Sequence, residues 1–121
     1  MRLWTSIGAV LGALAVALGA FGAHALKDSL SPEQLGWWET AVQYHALHAL
    51  ALVLFGLAAE RGRTGGIAGA LFALGIVLFS GTLYAMALGA PRWFGAITPL
   101  GGTALIAAWL LFAASGWRHG R

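Results

Sequence analysis

Apolar residues run in four long stretches along this chain, and charged residues fall only at their ends or between them. Leu3–Leu26, Thr40–Ala59, Thr64–Pro91 and Trp93–Trp117, of 24, 20, 28 and 25 residues, contain no Asp, Glu, Lys or Arg. A bilayer core about 30 Å thick is crossed by about 20 predominantly apolar residues of helix. Only a helix or a closed barrel satisfies its backbone inside lipid. The pattern predicts an all-α, integral membrane four-helix bundle with short loops, filling 1–121 as a single domain. Its spans are expected at about 3–26, 40–59, 67–88 and 99–117. The first run is expected to be a retained span, because Leu3–Ala23 is longer than the apolar core of about 7–15 residues in a cleaved leader.

The punctuation between the runs supports these bounds. Ser31-Pro32-Glu33-Gln34 reads as a capping box with proline at the first helical position. A helix from Pro32 to Ala59 would be about 42 Å long, so its first turns should lie in the interface, with Trp37 and Trp38 as belt residues. Gly65-Gly66 and Gly89-Ala90-Pro91 read as turns. Thr98-Pro99 reads as a second cap-plus-proline start. A sharper reading of Ile97–Gly102 is a helix N-terminus aimed into the bundle to hold an anionic group.

The first span carries small residues at Gly8, Gly12, Ala15, Gly19 and Gly22, a 4-3-4-3 spacing of 3.5 residues per turn. Helices in lipid gain little from hydrophobicity when they pair, and close approach through small residues holds them together. This seam is expected to face another helix. A second copy of the chain or another membrane protein would suit it as well.

Composition sharpens the picture in two ways. The chain has 60 % hydrophobic and 9 % charged residues and no cysteine. Disulfides, thiol chemistry and iron–sulfur ligation are therefore excluded. Its net charge of +3 comes from scattered cations that form no patch, so the expected surroundings are the lipid bilayer and not nucleic acid. Arg2, Arg61, Arg63, Arg118 and Arg121 fall on one side of a four-span topology, and Lys27 and Arg92 on the other. That asymmetry predicts both termini in the cytoplasm.

Candidate chemistry centres on the second span. Tyr44, His45 and His48 fall within about 100° of one another on a helical wheel, with Trp37, Ala41, Phe55 and Ala59 continuing the wedge. Gln43 lies off this face, nearer to Glu39. Polar groups this deep normally face the bundle interior. His48 is expected as a neutral imidazole bonded across the bundle to Ser80, Thr82 or Tyr84. Glu39 is expected at headgroup level, paired with Lys27 or Arg92. The pocket so predicted gathers His24, Glu39, Tyr44, His48, Ser80, Tyr84 and Thr98 near the outer leaflet. It is read as a site for a small polar or amphipathic ligand. No carboxylate stands near His48 to complete a metal site, and neither a metal nor a cofactor is assigned.

Four stretches resemble a known family. They are Gly19–Leu26 (GAFGAHAL), Glu39–Leu50 (ETAVQYHALHAL), Leu78–Tyr84 (LFSGTLY) and Ile97–Gly102 (ITPLGG). In this order they are similar to the small membrane-protein family of unknown function typified by the bacterial YgdD protein, which also includes eukaryotic transmembrane protein 256. The resemblance places His24, Glu39, Tyr44, His48, Ser80, Tyr84, Thr98 and Pro99 at the family's characteristic positions. It puts His45 where many relatives carry Gln. It implies a multi-pass protein of the bacterial inner membrane and supplies no activity. The expected function is therefore a non-enzymatic accessory or ligand-binding protein. A small transporter or channel subunit, and a module holding quinone or haem between the first two spans, stand as alternatives.

Overall fold

The computed structural model describes residues 2–59 and 66–119. Helix α1 covers Arg2–Phe21 and widens into a π turn over Gly22–Leu26. Helices α2 (Pro32–Ala59), α3 (Ile67–Ala87) and α4 (Thr98–His119) follow, with a short 3₁₀ turn at Arg92–Ala96 before α4. All four helical segments are long and apolar enough to cross a membrane. The basic residues expected in the second connection, Arg61 and Arg63, and the terminal Arg121 lie outside the described residues.

The start of α2 forms as its sequence dictates. The Ser31 N–H donates to Gln34 Oε1 at 2.9 Å, and the Gln34 N–H donates to Ser31 Oγ at 3.1 Å. These two bonds are the reciprocal capping box. The start of α4 differs from expectation. The Ile97 carbonyl accepts from the N–H groups of Leu100 and Gly101, so Ile97 opens the helix. The Thr98 hydroxyl instead turns to α3 and meets Thr82 Oγ1 at 2.6 Å. Between α3 and the 3₁₀ turn the chain reverses at Gly89, whose φ of 110° is one that a side chain would oppose.

Helices pack in chain order: α1 on α2, α2 on α3, α3 on α4. The middle pair is therefore the more buried, and α1 and α4 flank it without comparable contact with each other. The inner side of α2 is a seam of Trp38, Ala41, His45, His48, Leu52, Phe55 and Ala59, all buried. Its 3-4-3-4 spacing is the knobs-into-holes period. Phe55, Phe72, Trp109 and Phe112 interlock edge-on where α2, α3 and α4 meet; the Phe72 and Trp109 centroids lie 5.3 Å apart and those of Phe55 and Phe112 5.5 Å.

The predicted small-residue seam of α1 faces α2, with one exception. A Cβ on Gly8 would press on the Val53 N–H and Val53 side chain, one on Gly22 would strike the Trp38 indole, and one on Gly19 would crowd Val42. Ala15 is 2 % exposed. Gly12 has open space where its side chain would be, so it does not belong to the contact. Further close approaches include Gly56 against Thr5 and Gly101 against the Leu78–Phe79 backbone.

Candidate functional site

The residues of the predicted pocket differ widely in exposure and do not share one buried face. His48 and Ser80 are buried, Tyr84 and Thr98 are half-buried, and His24, Glu39 and Tyr44 are exposed on the helix surfaces. His24 sits on the outer side of the π turn and points away from the interior it was expected to line. Tyr44, one position off the buried seam, tilts its ring against Phe79 at 4.6 Å while leaving 42 % of itself exposed.

His48, Ser80, Thr82 and His45 each make a separate local hydrogen bond, while Trp4 Nε1 and Thr5 Oγ1 are buried without one. The His48 Nδ1–H donates to the Tyr44 carbonyl at 2.7 Å, within its own helix. A carbonyl only accepts, so this bond puts the proton on Nδ1 and leaves Nε2 as an acceptor. The ring packs among Tyr44, Phe72 and Trp109. None of the expected partners of His48 bonds to it. The Ser80 hydroxyl donates to the Ala41 carbonyl at 2.8 Å. Thr82 Oγ1 lies 2.6 Å from both the Leu78 carbonyl and the Thr98 hydroxyl. Tyr84 shares a 2.8 Å hydrogen bond with His45 Nδ1.

His45 is thus the residue that the sequence undervalued. It is 2 % exposed, more deeply buried than His48. Its Nε2 is buried with no hydrogen bond. The position one residue from Tyr44 was visible, but nothing in the local pattern distinguished which of the two faces inward.

Trp38 was misplaced in the same way. It was expected in the interfacial belt and is 3 % exposed. Its Nε1–H donates to the Leu18 carbonyl at 3.0 Å, just where α1 widens into the π turn, and its ring lies edge-on to Tyr84 at 4.7 Å. A buried indole needs a partner for its N–H, and α1 supplies one. Trp37 keeps the belt position, half-buried with the Arg92 guanidinium 5.3 Å from its ring centre. Arg92 also pairs with Glu33 at 2.6 Å. That leaves Glu39 without the Arg92 pairing expected of it.

Glu39 instead lines a lateral groove of about 1050 Å³ between the end of α1 and the first half of α2. Gly19, Gly22, Ala23, Gly36 and Ala46 contribute little bulk to its walls. Lys27, Glu39, Thr40 and Gln43 bring a cation, a carboxylate, a hydroxyl and a carboxamide to them. A Cβ added at Gly36 would meet nothing, so the space there is open. Among the described residues no three His, Asp or Glu converge as a metal site.

Four apolar spans, glycine contacts between neighbouring helices and polar groups spent on interhelical bonds define a small multi-pass membrane protein. The chain belongs to the family described as "Protein of unknown function (DUF423)", which it matches over residues 18–102. It is 41 % identical to the UPF0382 membrane protein YwdK of Bacillus subtilis, over 98 % of this chain and 99 % of that one. It is 43 % identical to the UPF0382 membrane protein SH2409 of Staphylococcus haemolyticus, over 95 % of each. With the UPF0382 inner membrane protein YgdD of Escherichia coli K12 it shares 40 % identity, over 91 % of this chain and 86 % of that one. No solved structure matches. The chain is a multi-pass inner-membrane protein of this family, as its resemblance implied.

Proposed function

We propose that this protein is a non-enzymatic accessory protein of the membrane that holds an amphipathic ligand in the groove between α1 and α2. One observation carries the reading: the groove has an apolar lining of small residues beside Leu35, Trp38 and Val42, yet is edged by Lys27, Glu39 and Gln43. Small residues on facing helices normally permit contact. Here Gly36 and Ala23 border open space, and bulkier residues would have filled it. Ser80 and Thr82 spend their hydroxyls on the Ala41 carbonyl and the Thr98 hydroxyl, and His45 spends Nδ1 on Tyr84, so much of the polar chemistry of the centre joins helices. A ligand that reaches the groove sideways from the lipid needs an apolar body for the small-residue walls and a polar end for the rim.

The test is extraction of the purified protein, after extensive detergent washing, followed by mass spectrometry of the extract. A retained amphiphile near one per chain is expected, together with its loss in Ala46→Leu and Gly36→Leu, which place bulk in the groove without touching the α2–α3 seam. A wild-type protein that retains no amphiphile would overturn the reading.

A further inference from the structure

We propose that the occupant of this groove is a glycerophospholipid with a primary-amine headgroup. Lys27 would hold its phosphate and Glu39 its ammonium. This deepens the function proposed above and rests on it. The argument begins with charge. The groove presents one cation and one anion along the same wall space, and the structure gives Glu39 no ion-pair partner among the described residues. An anionic headgroup such as phosphatidylglycerol satisfies Lys27 but brings a phosphate toward Glu39 with nothing to offset it. A zwitterionic headgroup answers both.

Donor chemistry then separates the zwitterions. A primary ammonium has three N–H donors, and bonds from such a group to a carboxylate are short and charge-assisted. A trimethylammonium has no donor and offers Glu39 only a diffuse charge. Gln43, one turn further along α2, adds a carbonyl acceptor for a second N–H.

Depth fits as well. Gly22 faces Trp38 and Gly19 faces Val42, so α1 and α2 run antiparallel with Glu39 level with the π turn. Lys27 lies more than a turn further out, and its long stem allows the ammonium to reach back along the groove. The ethanolamine arm folds back from the phosphate along α2, so that its ammonium meets Glu39 while the phosphate stays at Lys27. Gly19, Leu35, Val42 and Ala46 make the rest of the lining apolar, as an acyl chain requires.

The experiment is native mass spectrometry of the full chain released from detergent micelles. It is titrated in turn with dioleoyl phosphatidylethanolamine, phosphatidylcholine and phosphatidylglycerol of identical chains. Phosphatidylethanolamine is expected to bind about tenfold more tightly than either of the others, the size of one charge-assisted hydrogen bond. Glu39→Gln should reduce that preference to about twofold or less, and Lys27→Met should weaken all three lipids together. Both positions are exposed, so neither variant threatens the fold. Equal binding of the three lipids, or a preference that survives Glu39→Gln, would overturn the headgroup assignment while leaving a ligand groove intact. Absence of any bound lipid, or a dimer whose groove is closed by a second copy, would overturn both readings.

Discussion

Single residues in this molecule divide into those that let helices touch and those that fix how they touch. Gly8 and Gly12 make the distinction testable, because they are one turn apart on the same helix. Gly8→Leu drives a side chain into the Val53 backbone and should cost about 1–3 kcal/mol, the usual range for overpacking. Gly12→Leu enters open space and should leave melting in detergent within about 3 °C of wild type, since substitutions that meet no neighbour stay within about 0.5 kcal/mol. Equal loss in both variants would show that the seam runs through Gly12 after all. A second pair of residues fixes register. Tyr84→Phe removes the bond to His45 and should cost about 0.6–1.7 kcal/mol, as interhelical hydrogen bonds do in membranes. His45→Leu should lose the same bond. His45→Gln should keep most of it, because a carboxamide oxygen accepts from the Tyr84 hydroxyl. A double-mutant cycle between positions 45 and 84 measures the coupling directly.

At the scale of elements, helix bounds were legible and helix rotation was not. The charge-free runs located all four helices, and Ser31 and Gln34 located the start of α2 to the residue. Replacing Ser31 with Ala should therefore destabilise the protein by about 0.5–2 kcal/mol, read as a lower thermal midpoint in detergent. Rotation failed at Trp38 and Tyr44. In water, the polar face of a helix betrays its buried face. In lipid the outer face is as apolar as the core, so Leu47, Leu50, Leu54 and Leu57 look like core residues and are exposed. The polar wedge was located within one position of the buried seam. That was enough to place Ala41, His48 and Phe55 correctly and to turn Tyr44 and Trp38 the wrong way. The pocket failed for a related reason. The hydroxyls of Ser80, Thr82 and Thr98 bond to each other or to a nearby carbonyl, and sequence spacing does not say which. Thr98 is the clearest case: it reads as a cap and acts as a cross-link to Thr82. Thr98→Val should loosen α4 against α3, visible as faster amide exchange in α4 than in α2.

For the whole molecule, the basic bias predicts that the Lys27–Ser31 turn lies outside the cell and residues 60–65 inside. The chain has no cysteine, so single cysteines report without background. Ser29→Cys should react with an impermeant maleimide in intact cells, and Thr64→Cys only after lysis; the reverse pattern would invert the protein and move the groove to the inner leaflet. The order of packing has a consequence for how such a chain is made. Each helix rests chiefly on the one synthesised just before it, so no partner has to wait for a distant segment. The first hairpin, closed by Gly8, Gly22 and the Trp38 bond to Leu18, has its main contacts available before α3 leaves the ribosome. Later spans add to a finished edge. Biogenesis then becomes a series of short local steps. An early lesion such as Gly22→Leu should send the nascent protein to proteolysis, while truncation of α4 should leave a shortened but inserted product.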